Sequence, residues 1–182
     1  IVSLTTNYNK LSNGKWQYIM NHQPRKLPVF DRVPHTTAVT PLMQEKTPLY
    51  LFNGAGYHEY RGDEPISHGL GYERKAISLP LNSTVSYPFE AMNTDTLWVE
   101  VALAPNHPVN GSAIRYSVSI DDEQPQIVDY HTEGRSEEWK ENNLRNQAIR
   151  ITSHVPSSSG KHLLKIKALD EGVVIDQIKL WN

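Results

Sequence analysis

The chain has 182 residues, with 18 basic and 20 acidic side chains and no cysteine. This length suits one domain with a sizeable core, and the balanced charge argues against nucleic acid or an anionic membrane as the main partner. The lack of cysteine excludes disulfides, a thiolate nucleophile and a zinc–thiolate site.

The first 48 residues are predicted to be irregular, because prolines recur too closely for a helix to extend. One short helix is expected around Gly14 to Met20, where Trp16, Ile19 and Met20 would share a face. This segment either packs along the outside of the domain that follows or belongs to a preceding domain. Since the chain opens with IVSLTTNYNK and no signal peptide, we expect it to be a fragment of a longer protein.

Residues 49–182 are predicted to form one β domain. Pro88 is expected at an edge or bend, and SEEWKENNLRNQ predicts one or two helical turns with Ser136 as N-cap. The sum is an all-β fold, an antiparallel two-sheet sandwich with a jelly-roll-like arrangement. The predicted strands are short alternating runs bounded by turn residues: LYLFN, YERKAISLP, TVSYPFEAM, TLWVEVALAP, IRYSVSID, QIVDY, AIRITSHV, GKHLLKIKAL and VVIDQIKLW.

A sugar-binding face is predicted around Trp98, which lies beside Glu100 on the polar side of its strand. Arg115 and Arg150 are expected on the corresponding faces of other strands, where guanidinium groups would bind an acidic sugar such as a uronate. A pyranose stacks its C–H groups on a flat aromatic ring. Alternatively, the N-terminal segment covers Trp98, which then serves in packing. The loop of residues 57–72 adds three more rings: Tyr57, Tyr60 and Tyr72.

Asp176 is expected to face inward, because period two places it on the same side as Ile178 and Leu180. A buried carboxylate must be hydrogen-bonded, paired or bound to a metal. Asp176 therefore either accepts hydrogen bonds from backbone amides or ligates a structural calcium ion together with Asp170. No other cofactor is expected.

Catalysis by this chain alone is not indicated. Glycosidases need two facing carboxylates, but the acidic residues here lie mainly in polar turns without a recognisable motif. His58, His68 and Asp63 would make a metal site only if their loop brought them together, and a solvated loop is the favoured interpretation.

The order of several segments resembles the C-terminal domain of glycoside hydrolase family 115. They are SHGLGYERKAISLP, SYPFEA, VEVALAPNHPVNGSAIRYSVSIDDEQPQIV, EEWKENNLRNQ and SGKHLLKIKALDEGVVIDQIKLW, preceded by NYNKLSNGKWQYIMNHQP.

Members of that family are α-glucuronidases that remove glucuronic acid or its 4-O-methyl form from xylan. The resemblance implies an accessory sandwich, similar to a carbohydrate-binding module, in a secreted or periplasmic protein. It places the catalytic residues in an upstream barrel domain, so none is assigned here. The expected partners are a polysaccharide or oligosaccharide and the catalytic domain of the same chain. If the domain instead serves only as an interface, packing on the barrel or mediating dimerisation, an exposed apolar patch is expected around Trp16, Phe30 or Trp98.

Overall fold

The computed structural model describes residues 47–92 and 95–182 in full and the backbone of residues 8–10 and 16–18. The chain divides into two compact units, residues 1–45 and 46–182. Predictions for the rest of the first 46 residues, including the one for Phe30, lie outside the described residues.

In the N-terminal unit, strands β1 (Tyr8–Lys10) and β2 (Trp16–Tyr18) pair antiparallel. The predicted short helix around Gly14 to Met20 is therefore wrong at residues 16–18. Lys10 pairs with Trp16, and a separation of a few residues that includes glycine is typical of a hairpin.

The second unit contains eleven strands and one α-helix among its described residues. These elements are β3 (Tyr50–Asn53), β4 (Glu59–Arg61), β5 (Ile66–Ser67), β6 (Ile77–Ser78), β7 (Thr84–Ala91), β8 (Leu97–Leu103), β9 (Arg115–Ile120), β10 (Gln126–Asp129), α1 (Glu137–Arg145), β11 (Ala148–His154), β12 (Gly160–Ala168) and β13 (Val174–Trp181). A single 3-10 turn, Gly54–Gly56, follows β3.

The strands form two antiparallel sheets. The five-stranded sheet has the order β10-β9-β12-β7-β4, and the six-stranded sheet has the order β11-β8-β13-β6-β5, with β3 also paired to β13. Strand β4 pairs with residues 84–86 of β7. Pro88 therefore lies beyond that pairing, at the edge position predicted for it. The register of β13 shifts between Ile175 and Gln177, which is a β-bulge at Asp176.

The hydrophobic core lies between the two sheets. It is built from alternate residues of each strand, such as Val99 and Val101 of β8, Val118 of β9 and Ile166 of β12, all of which are buried. Each fully buried aliphatic side chain contributes roughly 1.5–3 kcal/mol relative to an exposed one. The predicted all-β, antiparallel two-sheet sandwich is confirmed.

Helix α1 begins as predicted, with the Ser136 hydroxyl accepting a hydrogen bond from the Trp139 amide at 3.2 Å. Glu137 and Glu138 lie in its first turn, where they favour the positive end of the helix dipole. In the part of the chain that the structure describes, no helix has the length and apolar character to cross a membrane.

Candidate functional site

An exposed aromatic face covers the outside of the six-stranded sheet. Trp98 of β8 lies directly opposite Trp181 of β13, and Glu100 lies between Ile151 of β11 and Lys179 of β13. Paired residues point to the same side of a sheet, so these five side chains share one surface, called here the tryptophan face. Trp98 is 47% exposed and Ile151 is 58% exposed.

A charged pair crosses the centre of the tryptophan face. Lys179 Nζ lies 3.0 Å from Glu100 Oε1 and 5.9 Å from the centre of the Trp181 ring. The Glu100 side chain is only 14% exposed and the Lys179 side chain 31%, so both side chains are held against the sheet. The face therefore offers two aromatic rings beside a fixed acceptor and a fixed donor.

This arrangement suits a ligand with both apolar and hydroxyl surfaces. Aromatic rings gain contact area from the C–H groups of a sugar ring, and polar groups at their edges set its orientation. The same face also suits an apolar protein surface, because contiguous exposed apolar patches mark protein interaction sites as well. Leu51 of β3 extends the apolar area, since it pairs with Lys179 and is 52% exposed.

Arg115 does not belong to the tryptophan face. It lies on β9 in the five-stranded sheet, and its guanidinium group makes two contacts with Asp170, Nε to Oδ2 at 2.8 Å and Nη2 to Oδ1 at 3.1 Å. This pairing raises the pKa of Arg115 and lowers the pKa of Asp170, mainly through the hydrogen bonds between the two side chains. The prediction that Arg115 shares a face with Trp98 is wrong, because the two strands lie in different sheets.

Arg150 is also directed away from the tryptophan face. Its register partner is Val101, a core residue of β8, so it points to the opposite side of the sheet from Trp98. Its guanidinium group lies 2.6 Å from Glu138 Oε1 and donates to the carbonyl of Asp129 at 3.3 Å. The prediction that Arg150 joins Trp98 is wrong because the inward and outward positions of β11 are reversed from those expected.

The three tyrosines of residues 57–72 are divided between two places. The rings of Tyr57 and Tyr60 meet edge to face, with centroids 6.0 Å apart, and Tyr60 belongs to the edge strand β4. Tyr72 lies after β5 with a largely exposed ring, and its backbone amide is held by Asp176. These rings remain predicted sugar contacts, and none of them is part of the tryptophan face.

Asp176 is 2% exposed, in agreement with the predicted burial, and protein donors surround its carboxylate. The Tyr72 amide lies 2.9 Å from Oδ1 and 3.2 Å from Oδ2, and Gln147 Nε2 donates to Oδ2 at 2.7 Å. The group therefore ties the loop of residues 57–72 and the start of β11 to the bulge in β13.

The predicted calcium site gains no support from these contacts. Both oxygens of Asp176 and both oxygens of Asp170 already accept hydrogen bonds, whereas calcium requires six to eight oxygen ligands. Among residues 47–92 and 95–182, no cluster of three or more His, Cys, Asp or Glu side chains is placed to hold a metal ion.

Two features were not predicted from the sequence. Trp181 belongs to the tryptophan face, and its alternation with Leu180 in IKLW was the available signal. A polar cleft also lies between α1 and residues 105–107, with Trp139, Asn142 and His107 among its walls. The Trp-Lys-Glu-Asn-Asn sequence of α1 was its only local signal.

Comparison with known proteins identifies the family. Residues 73–181 match the glycosyl hydrolase family 115 C-terminal domain. A solved family GH115 4-O-methyl-α-glucuronidase with specificity for decorated arabinogalactans is 43% identical over 96% of this chain, with a TM-score of 0.78. The match spans 23% of that enzyme's chain. No curated protein matched the chain.

More distant structures share the fold. An exo-β-1,3-galactanase from Phanerochaete chrysosporium is 14% identical over 72% of this chain and 29% of its own, with a TM-score of 0.54. A family 35 carbohydrate binding module from an environmental isolate is 18% identical over 74% of this chain and 93% of its own, with a TM-score of 0.51. These likenesses concern the fold alone. On the family match and the 43% identity, the chain belongs to the C-terminal domain family of glycoside hydrolase family 115.

Proposed function

We propose that this chain is an accessory carbohydrate-binding domain of a secreted or periplasmic glycan-degrading protein, and that it holds a polysaccharide on the tryptophan face. The observation that carries the proposal is the side-by-side placement of Trp98 and Trp181 on an exposed sheet surface. Two neighbouring rings on a flat surface offer stacking positions to successive sugars of a chain.

The polar groups of the face would orient the bound chain. Glu100 accepts and Lys179 donates, so together they match hydroxyl groups, which do both. Because these two side chains neutralise each other at 3.0 Å, the face does not require an acidic sugar. Binding here would keep the polymer close to an upstream catalytic domain, which raises its effective concentration there.

Two polymers are the leading candidates for the ligand. Xylan decorated with uronic acid follows from the family resemblance. Decorated arabinogalactan follows from the specificity stated for the GH115 relative. Retention of the 182-residue chain in native gels that contain either polymer would distinguish them.

The matched variants for this test are Trp98→Ala, Trp181→Ala and the control Ile127→Ala. Ile127 is exposed on β10 of the other sheet, so its removal changes a similar apolar area elsewhere. We expect each tryptophan variant to weaken retention about tenfold, on the order of 1–2 kcal/mol, and Ile127→Ala to have no effect. Absence of retention for the wild type, or equal retention by all variants, would contradict the proposal.

A second function, a structural interface, is favoured by Ile151 and Leu51, which add aliphatic area to the face and do not help to bind sugar. The surface would then pack on the catalytic part of the parent protein or on a second copy of the chain. Sedimentation velocity tests packing on a second copy directly. Self-association that Trp98→Ala abolishes, without polymer retention, would support this interface, whereas a monomer that retains polymer would exclude an interface between two copies.

A further inference from the structure

A polar cleft opens at the end of the sandwich next to helix α1. It has a volume of about 160 Å³, and its walls come from the loop after β8, the segment after β10, and α1. We call it the α1 cleft and define it by Asn106, His107, Thr132, Trp139, Asn142 and Asn143. The cleft begins at the end of β8 that carries Leu103. Trp98 lies five residues before Leu103, a distance of about 16 Å along a strand, so the cleft is separate from the tryptophan face.

Asn142 presents an unpaired donor in this cleft. The residue is 3% exposed, and its Oδ1 accepts a hydrogen bond from Arg145 Nη2 at 2.9 Å. A guanidinium group can only donate, so this contact fixes which side of the amide carries the NH₂ group. No acceptor among the described residues takes the Nδ2 protons.

Thr132 adds a second unpaired group. It is 7% exposed, and within the described part of the chain its hydroxyl has no hydrogen-bond partner. The ring of His107, an exposed residue at the edge of the cleft, offers a further donor and acceptor. Buried polar groups in folded proteins are nearly always hydrogen-bonded, to protein or to another molecule. The unpaired atoms of Asn142 and Thr132 are not among the fully buried atoms without a partner, so they face the open space of the cleft, where a hydroxyl-bearing ligand or water would complete them.

The walls select against a charged ligand. The cleft is lined by amides, a hydroxyl, an imidazole, two aromatic rings and small apolar groups, without an Asp, Glu, Lys or Arg in its lining. Burying a carboxylate without a cationic partner is costly, which disfavours a uronate. The volume lies below the roughly 300–1,000 Å³ of drug-sized ligand pockets, which suits a single sugar ring better than an oligosaccharide.

We propose that the α1 cleft binds one uncharged pyranose unit, with Trp139 as an aromatic wall and Asn142 Nδ2 and the Thr132 hydroxyl as hydrogen-bonding groups. The inference relies on the proposed function only for the class of ligand, a sugar, and not for the tryptophan face. It gives the domain a second site, suited to a chain end or a single-sugar branch.

The test is a two-dimensional NMR titration of the 182-residue chain with methyl β-xylopyranoside, methyl β-galactopyranoside and methyl β-glucopyranoside, and with methyl β-glucuronopyranoside as the charged counterpart. We expect at least one neutral glycoside to shift the amide signals of residues 105–107, 132 and 139–143, and the uronoside to bind at least fivefold more weakly.

Two variants and two controls assign the shifts. Asn142→Asp keeps the acceptor for Arg145 but removes the NH₂ donor, and Thr132→Val removes the hydroxyl with little change of shape. Both should weaken the neutral glycoside at least fivefold, while Leu144→Ala, exposed on the same helix, and Ile127→Ala, exposed on β10, should not.

Three results would overturn the proposal. The first is the absence of shifts with every neutral glycoside, which would make the cleft a water site. The second is equal binding of the uronoside and the neutral glycosides. The third is unchanged affinity for the neutral glycoside in both cleft variants. Because polymer retention depends on Trp98 and cleft binding does not, failure of this site and failure of the proposed function give different results.

Discussion

At the residue scale, Gly71 and Asp176 are packed so closely that neither position accepts a larger group. Gly71 has a φ of +84°, and a Cβ atom at this position would lie 2.0 Å from Asp176 Oδ1 and 3.0 Å from the Ala76 Cβ. Positive φ suits glycine because it has no Cβ. The loop can therefore approach the buried carboxylate and donate the Tyr72 amide to it.

We predict that Gly71→Ala destabilises the domain by about 2–4 kcal/mol, through an unfavourable backbone conformation and the loss of space beside Asp176. Gly69→Ala is the matched control, since Gly69 has a φ of +63° and no atom within 4 Å of an added Cβ. It should cost only about 1–2 kcal/mol. Urea unfolding measures both, and equal losses would contradict the close packing.

A second residue pair links stability to pH. His162 is buried, and its Nδ1 lies 2.6 Å from Asp121 Oδ2. The hydrogen bond to Asp121 raises the pKa of His162 above 6.5, although burial opposes it. Burial alone would raise the pKa of Asp121, but the hydrogen bonds from His162 and from the Leu163 amide outweigh it, so the pKa lies below 3.8.

The signs of these shifts predict a window of stability. The contribution of His162 is fully present below pH 6.5 and is lost as the pH rises through its raised pKa. The contribution of Asp121 is present above pH 3.8 and is lost as the pH falls through its lowered pKa. The free energy of unfolding of the wild type should therefore fall as the pH rises above 6.5.

Asp121→Asn is the matched variant for this pH dependence, because Asp121 has a φ of +51° and asparagine tolerates that region. The variant should lose most of the decline above pH 6.5, an effect below about 1 kcal/mol because the carboxylate is partly exposed. An unchanged decline in Asp121→Asn would assign the pH dependence to other groups.

At the element scale, α1 depends on its N-cap residue, Ser136, for its beginning and forms one wall of the α1 cleft. Ser136→Ala should destabilise the helix by about 1 kcal/mol, because the Trp139 amide loses its side-chain acceptor. Ser136→Asp should restore most of this stability, since aspartate is an equally good N-cap. Hydrogen exchange of the first helical amides measures the change, and the same protection in Ser136→Ala as in wild type would contradict it.

The strands show which elements the sequence predicts well. In β8, the residues on the side of the strand opposite to Trp98 and Glu100, which are Leu97, Val99, Val101 and Leu103, are buried, as their period of two predicts. In β13, the predicted inward positions of Ile178 and Leu180 are buried. Trp181 was not predicted as a neighbour of Trp98, because that placement depends on the register between the two strands.

Strand β11 shows why the rest was not predictable. Its isoleucines suggest an inward face, yet Ile151 is exposed while Thr152 and His154 are buried. The ring of His154 is satisfied by Glu123 and by the Thr152 hydroxyl, partners that hydropathy does not reveal. Because the inward and outward positions of β11 are reversed from those expected, Arg150 points away from Trp98.

The α1 cleft was not predictable for a related reason. Its walls combine residues 105–107, residues 130–132 and the helix, and only the folded sheets bring these three segments together. The local sequence indicates a short helix and its cap, but not the surface that the helix meets.

At the scale of the whole molecule, the sandwich carries two separate surfaces with different chemistry. The tryptophan face is open and lies along a sheet, which suits the side of a polymer chain. The α1 cleft is small and uncharged, which suits one sugar ring. A domain that engages a polymer at two points gains avidity, provided that the bound chain can span both.

The most direct test of sugar binding at the tryptophan face is isothermal titration of the 182-residue chain with soluble glucuronoxylan and with decorated arabinogalactan. We expect binding of at least one polymer by the wild type and by Ile127→Ala, and about a hundredfold weaker binding by the Trp98→Ala, Trp181→Ala double variant, because each ring contributes on the order of 1–2 kcal/mol. Undiminished binding by the double variant, or no binding of either polymer by the wild type, would contradict it.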